Sequence, residues 1–274
     1  MPEVAAAGRS VVDALRDATS ALAASETPRL DAELLLAEVL GVARERLVVD
    51  AQAQLNRAQL TAFHALLARR EAREPVAYIL GRKDFRRITL SVDRRVLIPR
   101  PETELLVEAG LSLPVGASVV DVGTGSGAVA LALKSERPDL AVWGVDVDAD
   151  ALVVARENGL RLGVGVEFVQ ADLLDGLDRR FDAVLANLPY VAAGAELPPD
   201  VARYEPASAL FAGADGLDVI RRLVGNRPDT DLMALEVGFD QADAVAALLL
   251  EAGFSSVERL RDLAGHERVV VARR

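Results

Sequence analysis

Ser118–Gly127 reads SVVDVGTGSG. It begins as an apolar run, breaks into three alternate glycines at Gly123, Gly125 and Gly127, and passes into a small-residue segment that reads as a helix to about Ser135. Alternate glycines permit tight-turn dihedrals and let backbone come close to a ligand. A strand that ends in such a loop and feeds a helix opens many nucleotide-binding α/β domains. There the ligand sits beyond the strand C-termini, where the strand order reverses.

The sequence on either side agrees. Downstream, AVWGVD (141–146), VEFVQAD (166–172), FDAVLAN (181–187) and DLMALEVG (231–238) are further apolar strands. DADALVVARENGLRLG (148–163), GLDVIRRLVG (216–225) and DQADAVAALLLEAGF (240–254) are the intervening helices. Apolar strands alternating with helices imply a parallel sheet covered on both faces. SVERLRDL (256–263) and ERVVVAR (267–273) flank Gly265 closely enough to form a terminal antiparallel hairpin. Upstream, VVDALRDATSALAAS (11–25) and DAELLLAEVLGV (31–42) place apolar residues at helical spacing, and a third helix runs from an Asn56 cap to about Arg73. Asp31 is a candidate cap of the second helix. Between these regions, ITLSVD alternates like a strand among Pro75, Gly81 and Pro99. The expected organisation is a helical domain over 1–73, a linker or β-hairpin over 74–98, and an α/β domain over 99–274.

Bulk composition narrows the function classes. The 274 residues contain no cysteine, which excludes disulfides, thiolate metal sites and a Cys nucleophile and fits a reducing, cytoplasmic setting. With only His64 and His266, both expected to be structural, no histidine-based metal centre is anticipated. No apolar stretch reaches the roughly 18 residues of a membrane span, and no N-terminal segment has the pattern of a signal peptide. A net charge of −11 argues against broad nucleic-acid binding, which depends on neutralising phosphates. Residues 69–100 run against that trend. Ten basic residues there face four acids, a local +6 that reads either as a solvated face or as a docking strip for an acidic partner or RNA.

The glycine spacing bears on the ligand. A dinucleotide loop wants Gly-x-Gly-x-x-Gly with a helix N-terminus facing pyrophosphate. Here the pattern is Gly-x-Gly-x-Gly preceded by Asp121, the form used for S-adenosylmethionine, which has no phosphate to cradle. The loop Gly123, Thr124, Gly125, Ser126, Gly127 would pack on the amino-acid part of that cofactor, and Asp121 would help to organise its ammonium. Asp146 at the next strand end can accept from both ribose hydroxyls. Asp172 can accept from the adenine amino group, with Leu173 against the ring. Any one acid at a strand end can be a helix cap; the ordered set points to a cofactor site.

ANLPYV (186–191) then ends the fourth strand beside the expected methyl group. The lone pair of an amide or aromatic amino nitrogen is conjugated, so such a nitrogen attacks only if its NH2 group is held in orientation. The Asn187 side-chain oxygen and a backbone carbonyl in the following turn supply two acceptors. Pro189 fixes the turn, and Tyr190 offers a flat face for a planar amide or base. Orientation of two reactants supplies most of the catalysis.

These residues, with the blocks EPVAYILGRKDF (74–85), VLIPRPETELLVE (96–108), DVGTGSGAVALAL (121–133), YEPASALFAGADGL (204–217) and DLAGHERVV (262–270), resemble the bacterial peptide chain release factor glutamine methyltransferases across nearly the whole chain. The resemblance implies a Rossmann-like class I methyltransferase fold behind a small helical bundle. It also implies transfer from S-adenosylmethionine to the side-chain nitrogen of the Gln in the Gly-Gly-Gln tip of class 1 release factors. By the same resemblance, Gly123–Gly127, Asp146, Asp172, Leu173 and Asn187 would line the cofactor, and Asn187, Leu188, Pro189 and Tyr190 would bind the glutamine. PRPETE (99–104) would form a loop at the pocket mouth, although Glu102 and Glu104 also suit the first turn of a proline-started helix. Leu188 departs from the family's usual Asn-Pro-Pro-Tyr and matches the spelling found in ribosomal RNA adenine dimethylases. VGNRPDTDLMALEVG lacks the usual Gly-Gly turn before the fifth strand, so a shortened loop is expected there. Adenine methylation in RNA or DNA therefore stands as the alternative reading. A nicotinamide-dependent oxidoreductase and a non-catalytic cofactor-binding protein are disfavoured by the glycine spacing and by an intact Asn187 and Tyr190.

Overall fold

The computed structural model describes residues 9–226 and 229–274; Arg227 and Pro228, in the loop expected to be shortened, lie outside the described residues. In chain order the first elements are β1 (Arg9–Ser10), α1 (Val11–Ala21), α2 (Pro28–Leu40), α3 (Arg46–Val49), β2 (Gln54–Leu55), α4 (Arg57–Glu71) and α5 (Val76–Leu80). There follow β3 (Arg82–Phe85), β4 (Ile88–Ser91), α6 (Glu104–Leu111), β5 (Ser118–Val122), α7 (Ala128–Glu136), β6 (Ala141–Asp146), α8 (Ala149–Leu162) and β7 (Glu167–Gln170). The chain ends with β8 (Ala183–Ala186), α9 (Pro199–Tyr204), α10 (Asp218–Gly225), β9 (Leu232–Glu236), α11 (Ala242–Glu251), β10 (Ser256–Arg261) and β11 (Glu267–Arg273). They form two compact units. One extends to Gly81 and takes in Pro198–Tyr204; the other comprises Arg82–Leu197 and Glu205–Arg274.

In the first unit, Leu15, Leu35, Leu36, Phe63 and Leu67 from α1, α2 and α4 close a hydrophobic core. Asn56 caps α4 with a reciprocal capping box to Gln59, which satisfies two otherwise orphan N–H groups. The cap of α2 differs from expectation. Pro28 suits the first helical position because its φ is preset and it lacks an N–H. The helix therefore starts three residues before Asp31, with Thr27 as its N-cap. Asp31 is consequently inside the helix, buried, and accepts from Arg70 Nε at 2.7 Å. Arg70 Nη2 also donates to Ser25 Oγ, and Arg73 Nη2 donates to Asp200 Oδ1 at 3.1 Å. The Tyr204 hydroxyl donates to the Ala72 carbonyl. These bonds tie the α9 segment into this unit.

The second unit holds a seven-stranded sheet in the order β10-β11-β9-β8-β5-β6-β7. β5–β9 are parallel, and β11 and β10 add antiparallel at one edge. Apolar residues on both faces make β8 and β9 fully buried. On one face, Val120, Val184 and Met233 pack with Ile220 and Leu223 of α10 and Val245 and Leu249 of α11. Leu185, one residue on from Val184 and so on the opposite face, lies against Gly110 of α6, which also adjoins Leu133 of α7. The chain runs outward through β5, β6 and β7, then crosses back to β8 and β9. The strand order therefore reverses between β5 and β8, and a crevice opens there beyond the strand ends. β3 and β4 form a separate hairpin.

The basic stretch 69–100 is largely committed to ion pairs inside each unit. Arg69 pairs with Glu74, Arg70 with Asp31 and Arg73 with Asp200 in the first. Arg86 pairs with Glu136, Arg95 with Asp93 and Arg100 with Glu205 in the second.

Candidate active site

The reversal between β5 and β8 brings the strand-end residues to one cavity of about 220 Å³. Its wall includes Asp121, Gly123, Thr124, Gly125 and Ser126 after β5, Asp146 at the end of β6, Asp172 and Leu173 after β7, and Asn187, Leu188 and Pro189 after β8. Gly127 and Tyr190 stand outside that wall. Gly127 is the N-cap of α7. Tyr190 is half-buried and turns its hydroxyl to Glu236 Oε1, 3.3 Å away.

The glycine loop is built from both directions. Gly123, Gly125 and Gly127 all have positive φ, at +73°, +54° and +82°, a region that side chains disfavour. The loop backbone is pinned to the next strand: the Gly123 and Thr124 N–H groups both donate to the Val145 carbonyl, at 2.8 and 2.9 Å. Asp121 is buried under the loop. Its Oδ2 accepts from Thr124 Oγ1 at 2.6 Å and from the Ala130 N–H at 3.2 Å, and neither bond uses Oδ1. Burial pushes its carboxyl up to about 7, with the Asp146 charge adding to the rise and those two hydrogen bonds opposing it. Asn158 of α8, fully buried, donates to the Ser126 carbonyl and joins the loop to Ser91 of β4.

Asp146 Oδ2 accepts from the Gly125 N–H at 2.8 Å and Oδ1 from the Asp148 N–H at 3.0 Å. Burial raises its pKa. Asp172 is more exposed and accepts from Arg222 Nη2 at 2.8 Å. Next to it, Leu173 is buried with φ +57°, a left-handed conformation that costs a non-glycine residue about 1–2 kcal/mol. Such strain concentrates where structure is organised for a ligand, and Leu173 lies on the cavity wall.

At the β8 end, the Asn187 carboxamide donates from Nδ2 to Thr103 Oγ1 at 3.0 Å. Leu188 is buried, and its Cδ2 closes over the backbone of Gly123. The turn is anchored through its main chain: the Tyr190 carbonyl accepts from Gln241 Nε2 at 2.9 Å, and Gln241 Oε1 accepts from the Gly238 N–H. Burial, then the Glu236 charge, raises the pKa of the Tyr190 phenol. Burial likewise pushes Glu236 up to about 7, with the Glu102 charge adding, while the Thr103 and Tyr190 hydroxyls and Arg268 pull it down.

Thr103, Glu236 and Gln241 were not singled out in the sequence. Glu236 carried a usable signal, since it ends β9 as Asp146 ends β6. Thr103 had none, because PRPETE draws attention to its acids. Glu104 accepts from the Arg86 N–H and begins α6, and Pro101–Thr103 forms a 3-10 turn before it.

Two family models match the chain: the PrmC N-terminal domain over residues 13–81 and the Methyltransferase small domain over 101–205. Release factor glutamine methyltransferase of Burkholderia pseudomallei is 41% identical over 92% of this chain and 94% of its own. The Caulobacter vibrioides protein of that name is 39% identical over 90% and 89%. The chain belongs to the release factor glutamine methyltransferase family. All the strand-end residues on the cavity wall from Asp121 to Pro189 lie inside the matched methyltransferase segment, whereas Glu236 and Gln241 lie beyond it. The fold of this family member extends to distant proteins. A methyltransferase from Pyrococcus furiosus, 17% identical, superposes over 67% of this chain and 87% of its own with a TM-score of 0.52.

Proposed function

We propose that the protein methylates the side-chain amide nitrogen of the glutamine in the Gly-Gly-Gln tip of a class 1 release factor, using S-adenosylmethionine. The observation that carries the reading is the Asn187 carboxamide on the wall of the same cavity as the glycine loop, Asp146 and Asp172. Near-full-length similarity to relatives named for this activity supports it.

The residues present fit the cofactor. Asp121 is a buried carboxyl on the wall with an oxygen not used by Thr124 or Ala130, suited to a cationic ammonium. Asp146, fixed by two backbone N–H groups, suits a vicinal diol. Asp172 beside the strained Leu173 suits a flat base carrying an amino group. When bound, S-adenosylmethionine supplies an electrophilic methyl on a sulfonium.

The protein's own part is to hold the acceptor. With its nitrogen on Thr103, Asn187 leaves Oδ1 to accept from the glutamine NH2 group, and the Leu188 carbonyl is the second acceptor. Two acceptors fix both N–H bonds and so direct the lone pair. No strong base is required, because a methylated amide nitrogen becomes acidic and releases its proton to water. Leu188 retains the carbonyl that proline would have offered, and its buried side chain over Gly123 steadies the turn that a fixed proline φ would otherwise hold.

The helical unit is assigned to recognition of the release factor body, and the reaction to the cytoplasm. Among the described residues no helix is long and apolar enough to cross a membrane. Many arginines of the 69–100 strip are engaged in ion pairs, which lowers their availability for nucleic acid. The test is incubation with methyl-labelled S-adenosylmethionine and, separately, a recombinant release factor, total RNA and DNA. Label is expected in the release factor and is lost when its tip glutamine is changed. Label in RNA or DNA alone would overturn the substrate assignment.

A further inference from the structure

The Asn187 carboxamide could face the cavity with either its oxygen or its NH2, and only the oxygen can accept from a glutamine amide. A threonine hydroxyl does not by itself select between them. It could accept from Nδ2 or donate to Oδ1. The selection has to come from whatever takes the hydroxyl proton. Glu236 is buried beside Thr103, its Oε1 accepts from Tyr190, and its Oε2 is buried with no hydrogen-bond partner. A carboxylate only accepts. If the Thr103 proton is drawn to it, the Thr103 oxygen can only accept, and the atom of Asn187 that faces it must be Nδ2, as observed at 3.0 Å. Thr103 and Glu236 are both nearly inaccessible to solvent, so no bulk water supplies a competing donor.

We propose that Glu236 and Thr103 are positioning residues that lock the Asn187 carboxamide with its oxygen toward the acceptor nitrogen. Glu236 is not on the cavity wall and acts through Thr103. Tyr190 closes the arrangement from the other side. Its hydroxyl donates to Glu236, and its carbonyl is held by Gln241 within the Asn187–Tyr190 turn. The inference deepens the methyl-transfer reading above and rests on it.

Three variants test it: Thr103→Val, which keeps the shape and removes the hydroxyl; Thr103→Ser, which restores it; and Glu236→Gln, whose NH2 can donate to the Thr103 oxygen and release the hydroxyl proton toward Asn187. Turnover on a release factor at saturating cofactor, the Kd for S-adenosylhomocysteine and the melting temperature are measured for each beside the wild type. Removing one preorganised dipole at a reacting group costs on the order of 100- to 1,000-fold in kcat, and misorienting one costs part of that. Thr103→Val and Glu236→Gln should each lose about tenfold or more in kcat, with Kd within about twofold, and Thr103→Ser should recover most of the rate. Unchanged kcat in Thr103→Val would overturn the proposal. So would a loss that Thr103→Ser does not repair, or one that follows Kd or melting temperature, since the role would then be structural. If the wild type labels no release factor, the functional reading fails separately, and the same comparison is made on the nitrogen acceptor it does methylate.

Discussion

Asn187 and Asp121 share one cavity wall, and the proposed reaction gives them opposite work. In that proposal Asn187 holds the acceptor amide, and its neutral carboxamide has little to offer the cofactor's charge. Asn187→Ala should lower methyl transfer by about 100-fold or more, the range for removing one preorganised dipole, while the Kd for S-adenosylhomocysteine changes by less than about threefold. Initial rates and calorimetry measure the two, and equal losses in both would contradict the division. Asp121 should give a pH signature. Its carboxyl titrates at about 7 in the free protein because it is buried, and a bound ammonium favours the charged form. The bound pKa is therefore lower than the free one, and binding releases a proton below pH 7. Affinity for S-adenosylhomocysteine should rise as pH increases from about 5, by at most tenfold per unit, and flatten above about 7. Asp121→Asn should weaken binding and remove most of that slope. What remains would report Asp146, whose pKa is also raised. Asp121, Asp146, Asp172 and Asn187 were legible because strand ends are easy to locate in apolar sequence. Thr103 was not, because its value lies in a side-chain partner 84 positions away.

At the scale of elements, the turn after β8 is held by a loop that sequence periodicity does not reveal. Gly216 has φ +79°, and a Cβ there would lie 2.1 Å from the Tyr190 carbonyl oxygen. Gly216→Ala must displace backbone, and the left-handed conformation adds about 1–2 kcal/mol for a residue with a Cβ. The variant should lose about tenfold or more in kcat through a shifted Asn187–Tyr190 turn, with cofactor affinity largely kept because the β5–β7 ends are untouched. Wild-type kcat in this variant would show that the turn does not depend on the loop. The strands β5, β6, β8 and β9 were readable because burial on both faces demands continuous apolar runs. α5 was not read: a five-residue helix after Pro75 is too short for periodicity to register. The start of α2 lies three residues before the Asp31 cap that the sequence suggests, because Asp31 is partnered by Arg70 on another helix.

For the whole molecule, that pairing dominates the polar interior of the first unit. Arg70 and Asp31 side chains are each only 7% exposed. Removing one partner leaves an uncompensated buried charge, which costs about 3–5 kcal/mol, whereas replacing both with apolar groups of similar size is often near neutral. Arg70→Met should therefore sharply lower the denaturation midpoint of the helical unit, and Arg70→Met with Asp31→Leu should recover much of it. Far-UV circular dichroism against urea measures both. A single variant as stable as wild type would show that the pair carries no such load. Arg70 and Arg73 also reach Asp200, so these two charges hold a segment more than a hundred residues away in sequence.

The α/β class, the glycine loop, the acids at successive strand ends and the Asn187 turn can all be read along the chain. Each is encoded locally, in apolar periodicity and in residues only one or two positions from a strand terminus. That Pro198–Tyr204 belongs to the helical unit, that Thr103 meets Asn187, and that Glu236 is buried behind them with one oxygen unpartnered emerges only once the chain is folded. Those facts depend on which distant groups share a desolvated space, where an unmet hydrogen bond or charge is costly, and no local pattern along the chain records that.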